Sequence, residues 1–240
     1  MDQIDKHSVS IEEYENQKTT RTFFANVFLW MFIAMGITAL TSFLAASSPT
    51  FFHSLFSATG RMTILGWVVM LAPIVLVFIM SARIEKMSSG TMIALFIVYS
   101  VLMGLSLSFI FWAYSATSIC KTFLITGGVF GIMAIAGYFT KTDLTKFGSI
   151  LLIALIGIIL ATLVNFFTKS AGLDYIISIL GVLIFTGLTA YDVQKLKQIG
   201  ASESLEEHFM TKAAIWGALS LYLDFINLFL FILRLFGSRD

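Results

Sequence analysis

The stretch Ser220–Phe236, SLYLDFINLFLFILRLF, decides the fold. Nearly every residue in it belongs in hydrocarbon, yet Asp224 sits near the middle. An ionised carboxylate at the centre of a membrane helix costs about 2.5–3.5 kcal/mol on insertion scales. A partner has to offset that cost, so the rest of the chain is read for one.

Composition agrees with a membrane setting. Of 240 residues, 58% are hydrophobic and 12% charged, and Phe alone occurs 24 times. A mean hydropathy of +0.92 describes a polytopic membrane protein rather than a soluble domain. The formal net charge of +1 leaves no basic footprint for nucleic acid. Cys120 is the single cysteine, which excludes an internal disulfide and a Cys-based metal cluster. His7, His53 and His208 are scattered and read as solvated loop histidines rather than metal ligands. No cofactor is expected.

A bilayer core of about 30 Å takes roughly 20 apolar residues per helix. On that rule the chain offers seven spans: Phe23–Ala46, Met62–Ala82, Thr91–Tyr114, Thr122–Thr140, Phe147–Thr168, Tyr175–Tyr191 and Ala213–Leu233. The first six contain no charge, the sixth ends directly on Asp192, and the seventh encloses Asp224. The expected organisation is a polar cytosolic tail over residues 1–22, one transmembrane domain over 23–236, and a short C-terminal tail over 237–240. The tail is acidic, has no apolar core that would make it a signal peptide, and is expected to be a disordered arm.

Lysine and arginine placement sets the orientation. With the N-terminus inside, one side holds Lys6, Lys18, Arg21, Arg83, Lys86, Lys141, Lys146, Lys195, Lys197 and Lys212. The other holds Arg61, Lys121, Lys169, Arg234 and Arg239, so ten against five favours N-in. Seven spans then leave the C-terminus outside, whereas a re-entrant sixth segment would return it to the cytoplasm. Before the last span, Ser204 and Glu207 have capping-box spacing and predict a helix start near Leu205.

Helix positions three and four apart share a face. In the last segment Gly217, Ser220, Asp224 and Asn227 form one polar stripe. In the sixth, Thr186, Thr189 and Asp192 form another, continued by Lys195. Two helices with narrow polar faces should turn them toward each other or toward a water-filled cavity. The aspartates meet if the sixth helix continues through Lys195 and Lys197, with those side chains snorkelling outward. Arg83, the first charge after the second span, has the reach and planar fork to engage a carboxylate. It equally fits an ordinary interfacial arginine.

The run TGLTAYDVQKLKQ, Thr186–Gln198, together with LSLYLDFINLFLFILR, resembles the Bax inhibitor-1 family on its bacterial side. The resemblance extends through SARIEKMS, YSATSICKTFLITGGVFG and GYFTKTDLTKFGSILLIALIG. It implies an all-α membrane protein in which six helices surround a central C-terminal helix, in the bacterial inner membrane. It also implies proton-sensitive calcium leak and restraint of cell death. By motif match the aspartate pair of the ion pathway and pH sensor falls on Asp192 and Asp224, and an arginine latch on Arg83. Asn227, Ser220 and Thr189 are the polar neighbours of the pair. Relatives that carry a carboxylate in the second helix differ from this chain, whose Met62–Ala82 stretch has none.

Three functions compete on these residues. In the first, a cation leak is gated by protons: two close carboxylates cannot both ionise cheaply and titrate as a coupled pair. Their oxygens, with that of Asn227, suit transient contact with a hard cation such as Ca²⁺. Lipid, Ca²⁺ and protons are the partners of this reading. In the second, the chain regulates a membrane protease or cell-death machinery as a bound membrane-protein partner without transporting anything. In the third it is an intramembrane aspartyl protease, a reading disfavoured because LYLD lacks the glycines of the GxGD motif, so no enzyme is expected. Against all three stands a structural polar pair that only fixes helix packing.

Overall fold

In a computed structural model the backbone is described for residues 2–57, 61–202 and 207–238, and side chains for these except residues 2–17, 85 and 207–208. The described chain is helical without a strand, apart from one isolated antiparallel bridge between Phe56 and Met62. The helices are α1 (Asp2–Ala46), α2 (Pro49–Leu55), α3 (Ile64–Arg83), α4 (Ser89–Leu107), α5 (Ile110–Ala113), α6 (Ala116–Phe139), α7 (Thr145–Thr168), α8 (Ala171–Gly200) and α9 (Glu207–Phe236). A short 3₁₀ turn, Ile84–Lys86, follows α3.

Seven helical segments are long and apolar enough to cross a membrane: Lys18–Ala46, Ile64–Arg83, Ser89–Ala113, Ala116–Phe139, Thr145–Thr168, Ala171–Gly200 and Phe209–Phe236. The seven-helix, all-α expectation is therefore borne out, and the sixth span is a full 30-residue helix rather than a short one. One expectation is corrected. The polar N-terminal stretch is not an irregular arm, because α1 is helical from Asp2. The sequence has no Gly or Pro before Gly36 to break it. Of the expected capping box, Ser204 and the Glu207 side chain lie outside the described residues.

Local sequence explains most of the helix starts. Ser48, Thr63, Ser88, Ser115 and Ser170 each cap a helix by accepting a backbone N–H from three residues on. The α7–α8 link is tight: Lys169 takes the left-handed conformation at φ 50°, and Ser170 immediately caps α8. Asp143 organises the start of α7, its Oδ1 accepting from the Thr145 amide (2.9 Å) and hydroxyl (2.6 Å).

Burial separates interior from lipid-facing helices. In the most apolar part of α8 and α9, 56% of residues are buried, against 17–28% in the other five spans. The two helices that carry Asp192 and Asp224 are thus the interior pair, since a polar stripe needs protein or water beside it. α9 packs principally against α8, α1, α6 and α4, whereas α7 packs on α8 and α3 on α4. On the α1/α4 side, the Tyr222 hydroxyl lies 2.7 Å from Thr38 Oγ1, which donates to Ser100 O at 2.9 Å. Close approach there depends on Gly104, where a Cβ would stand 2.7 Å from Thr38 O.

The two ends of the bundle are tied separately. At one end, Thr20 Oγ1 donates to Gly200 O, and Gln194 bridges Leu144 N and Thr142 O. At the other, Ser115 N donates to Ser238 O and Ser238 N to Ser118 Oγ. The start of α1 and the end of α9 therefore lie at opposite ends.

Candidate functional site

The polar stripe of α9 faces α8 and a cavity of about 750 Å³. On α9 the cavity is lined from Trp216 to Arg234, which at 1.5 Å per residue covers about 27 Å. That nearly matches the thickness of a bilayer core, about 30 Å. Asp192 and Lys195 of α8, Leu155 and Ile158 of α7, and Ile74 of α3 complete its walls. α3 and α7 thus border this cleft beside α9.

Asp192, Asp224, Ser220 and Asn227 all line this cavity, as the stripes predict. Asp192 and Asp224 reach this cavity from two helices, with Ser220 one turn below Asp224 and no hydrogen bond between the two carboxylates. The Ser220 hydroxyl donates to Asp192 Oδ2 in a short hydrogen bond. Asp224 is 5% exposed, and its Oδ2 is buried with no hydrogen-bond donor among the described residues. Such a group costs free energy unless a proton, ion or water supplies what the protein does not. Asn227 gives its amide N–H to Leu223 O at 2.8 Å, in its own helix.

Depth follows from position in each helix. Asp192 is eight residues from Gly200, about 12 Å along the axis, and Asp224 is 15 residues from Phe209, about 22 Å. The two carboxylates step from the end that carries Lys195 toward the middle of the span. α8 does continue through Lys195 and Lys197, the condition for the pair to meet. Lys195 is exposed. Lys197 departs from the snorkelling expected of it: its Nζ donates to Tyr138 O at 2.7 Å and sits 4.9 Å from that ring centroid.

Two expected members stand apart from the pair. Thr189 is fully buried, and its hydroxyl is spent on Phe185 O of its own helix at 2.8 Å, the usual fate of a helical threonine. Arg83 is exposed at the end of α3 and has no hydrogen-bond or ion-pair partner among the described residues. In this conformation the basic side chains sharing the cavity wall with Asp192 are Lys195 and Arg234.

Sequence reading missed the opposite mouth. Arg234 lines the cavity and pairs with Asp174, at the start of α8, across 3.3 Å. Arg234 lies seven residues beyond Asn227, on the continuation of the same stripe, so the spacing already held this signal. The pair is about one-third exposed. Among the described residues the cavity wall therefore carries two acids, Asp192 and Asp224, and two bases, Lys195 and Arg234, one base toward each mouth. Among the described residues, no cluster of three or more His, Cys, Asp or Glu could hold a resident metal ion.

Comparison with known proteins gives one consistent family. The family described as "Inhibitor of apoptosis-promoting Bax1" matches residues 20–240. The inner membrane protein YbhL of Escherichia coli K12 is 47% identical over 220 residues, covering 91% of this chain and 92% of that protein. An uncharacterized protein of Borreliella burgdorferi is 45% identical over 217 residues, covering 90% and 92%. One from Deinococcus radiodurans is 37% identical over 232 residues, covering 97% of each.

Proposed function

We propose that this chain, which belongs to the Bax inhibitor-1 family of membrane proteins, is a proton-sensitive cation leak of the bacterial inner membrane. Calcium is the proposed cation, and the N-terminus the cytoplasmic end. The observation that carries the reading is the orphaned Asp224 Oδ2, buried midway along a cavity whose lining covers about 27 Å of α9. A charged group placed there at a cost to stability, on the wall of a cavity that also holds Asp192, Ser220 and Asn227, marks an ion path more readily than a packing device.

In this reading Asp192 and Asp224 take up protons as a coupled pair. Ionised, they offer oxygen ligands to a dehydrating Ca²⁺, with the Asn227 carbonyl beside them. Ser220 orients the Asp192 carboxylate by donating to one of its oxygens. Lys195 and Arg234 line the same path and oppose cation entry, which suits a slow leak rather than a fast channel. Arg83 is the latch. When it engages the ionised pair it holds α3 against the cleft, and protonation removes the charge it needs. In this reading its exposed position at the end of α3 is taken as the unlatched state of that cycle. α3 is suited to move because its main packing partner is α4 rather than α8 or α9. No enzymatic step is assigned to these residues.

The test is calcium entry into liposomes carrying the purified protein, measured from pH 5 to 8 against empty liposomes. A flux above background that changes with pH is expected. Flux equal to empty liposomes at every pH would refute the proposal.

A further inference from the structure

A second cavity, of about 580 Å³, lies at the Lys195 end of the bundle. Its walls are mainly apolar, with Ile84, Leu196, Ile199 and Trp216 among them, but two amines line it, Lys195 and Lys212. Neither lysine has an ion-pair or hydrogen-bond partner among the described residues. Among the described residues the lining holds one carboxylate, Asp192, whose Oδ2 already accepts from Ser220. Lys212 is three residues into the last span, so the amines stand at headgroup depth while the apolar wall runs inward.

We propose that this cavity binds an anionic phospholipid of the surrounding leaflet. Its phosphate takes the Lys195 and Lys212 ammonium groups, and an acyl chain lies along Leu196 and Trp216. Charge complementarity selects the occupant. Two unpaired amines repel a metal cation and give a zwitterionic lipid no advantage, because its own ammonium offsets its phosphate. A free phosphate ion would leave the apolar wall unfilled, whereas pockets with such walls take ligands that bury apolar surface. Long basic side chains beside a leaflet attract anionic headgroups in this manner. The site shares Asp192, Lys195, Trp216 and Ser220 with the larger cavity, but lipid retention is read without any ion flux.

The experiment uses the full chain. First, protein released from membranes into detergent is examined by native mass spectrometry with added phosphatidylglycerol or phosphatidylcholine. The wild type should retain phosphatidylglycerol preferentially. The Lys195→Ala/Lys212→Ala variant should bind it roughly 25-fold more weakly, about fivefold for each amine removed. The Lys141→Ala/Lys146→Ala variant loses the same charge at the same end of the bundle, outside the cavity, and should keep the preference. Second, a variant retaining only Trp216 (Trp30, Trp67 and Trp112→Phe) is placed in bilayer nanodiscs containing acyl-brominated lipid. Brominated phosphatidylglycerol should quench Trp216 more than brominated phosphatidylcholine at equal fraction. Equal binding of both lipids by the wild type would overturn the proposal. So would a preference that survives loss of both cavity lysines, or one lost equally in the Lys141/Lys146 variant.

Discussion

Asp224→Asn separates function from packing because the two make opposite predictions at this residue. Asp224 is 5% exposed, and its Oδ2 finds no donor. A buried acceptor left unsatisfied costs about 1–3 kcal/mol, and more when charged. Asparagine keeps the shape, removes the charge, and supplies an N–H₂ beside Asp192, whose Oδ2 is already held by Ser220. The variant should therefore be more stable than wild type by about 1–3 kcal/mol, or roughly 5- to 150-fold in the folded-to-unfolded ratio. Reversible denaturant unfolding in mixed micelles reads that change. In liposomes the same variant should lose the variation of calcium leak between about pH 5 and 8, since one member of the titrating pair is gone. Retained pH dependence together with lost stability would refute the argument and leave Asp224 as a packing residue.

Four further outcomes follow from the same geometry. Arg83→Ala should raise leak at the higher pH, where the latch would otherwise hold, and change stability by no more than about 0.5 kcal/mol because Arg83 is exposed; flux assays and unfolding curves check both. Tyr222→Phe removes the hydroxyl that meets Thr38 and should cost about 0.5–1.5 kcal/mol in the unfolding assay while leaving the pH profile of leak intact. Hydrogen bonds from Thr145, its hydroxyl first, hold the Asp143 carboxyl below the usual aspartate range. Its support of α7 is then complete above that range and is lost only as pH falls through the lower folded-state value, so Asp143→Ala should leave the pH 5–8 leak profile unchanged. With Cys120, which is exposed, replaced by Ala, a cysteine at Ser238 should react with an impermeant thiol reagent added from outside the cell; labelling only from the cytoplasmic face would refute the N-in orientation.

The sequence by itself determined the membrane class, the seven spans and the stripe that carries Ser220, Asp224 and Asn227. These depend on hydropathy and helical period, both local properties that a chain carries before it folds. It also put Asp192 on the same path, because YD ends an apolar run and α8 continues beyond it. Tertiary structure alone decided which polar groups are satisfied. Thr189 has stripe spacing but spends its hydroxyl on its own helix, while Ser220 reaches across to Asp192 and leaves Asp224 Oδ2 without a partner. The Tyr222–Thr38 contact joins residues 184 apart, and no local pattern announces it. The position of Arg83 was likewise beyond the sequence: a long side chain at a helix end can serve a carboxylate or the interface, and in this structure it is exposed at the end of α3. Periodicity fixes the direction in which a side chain leaves its helix. What it meets there is set by how the helices pack.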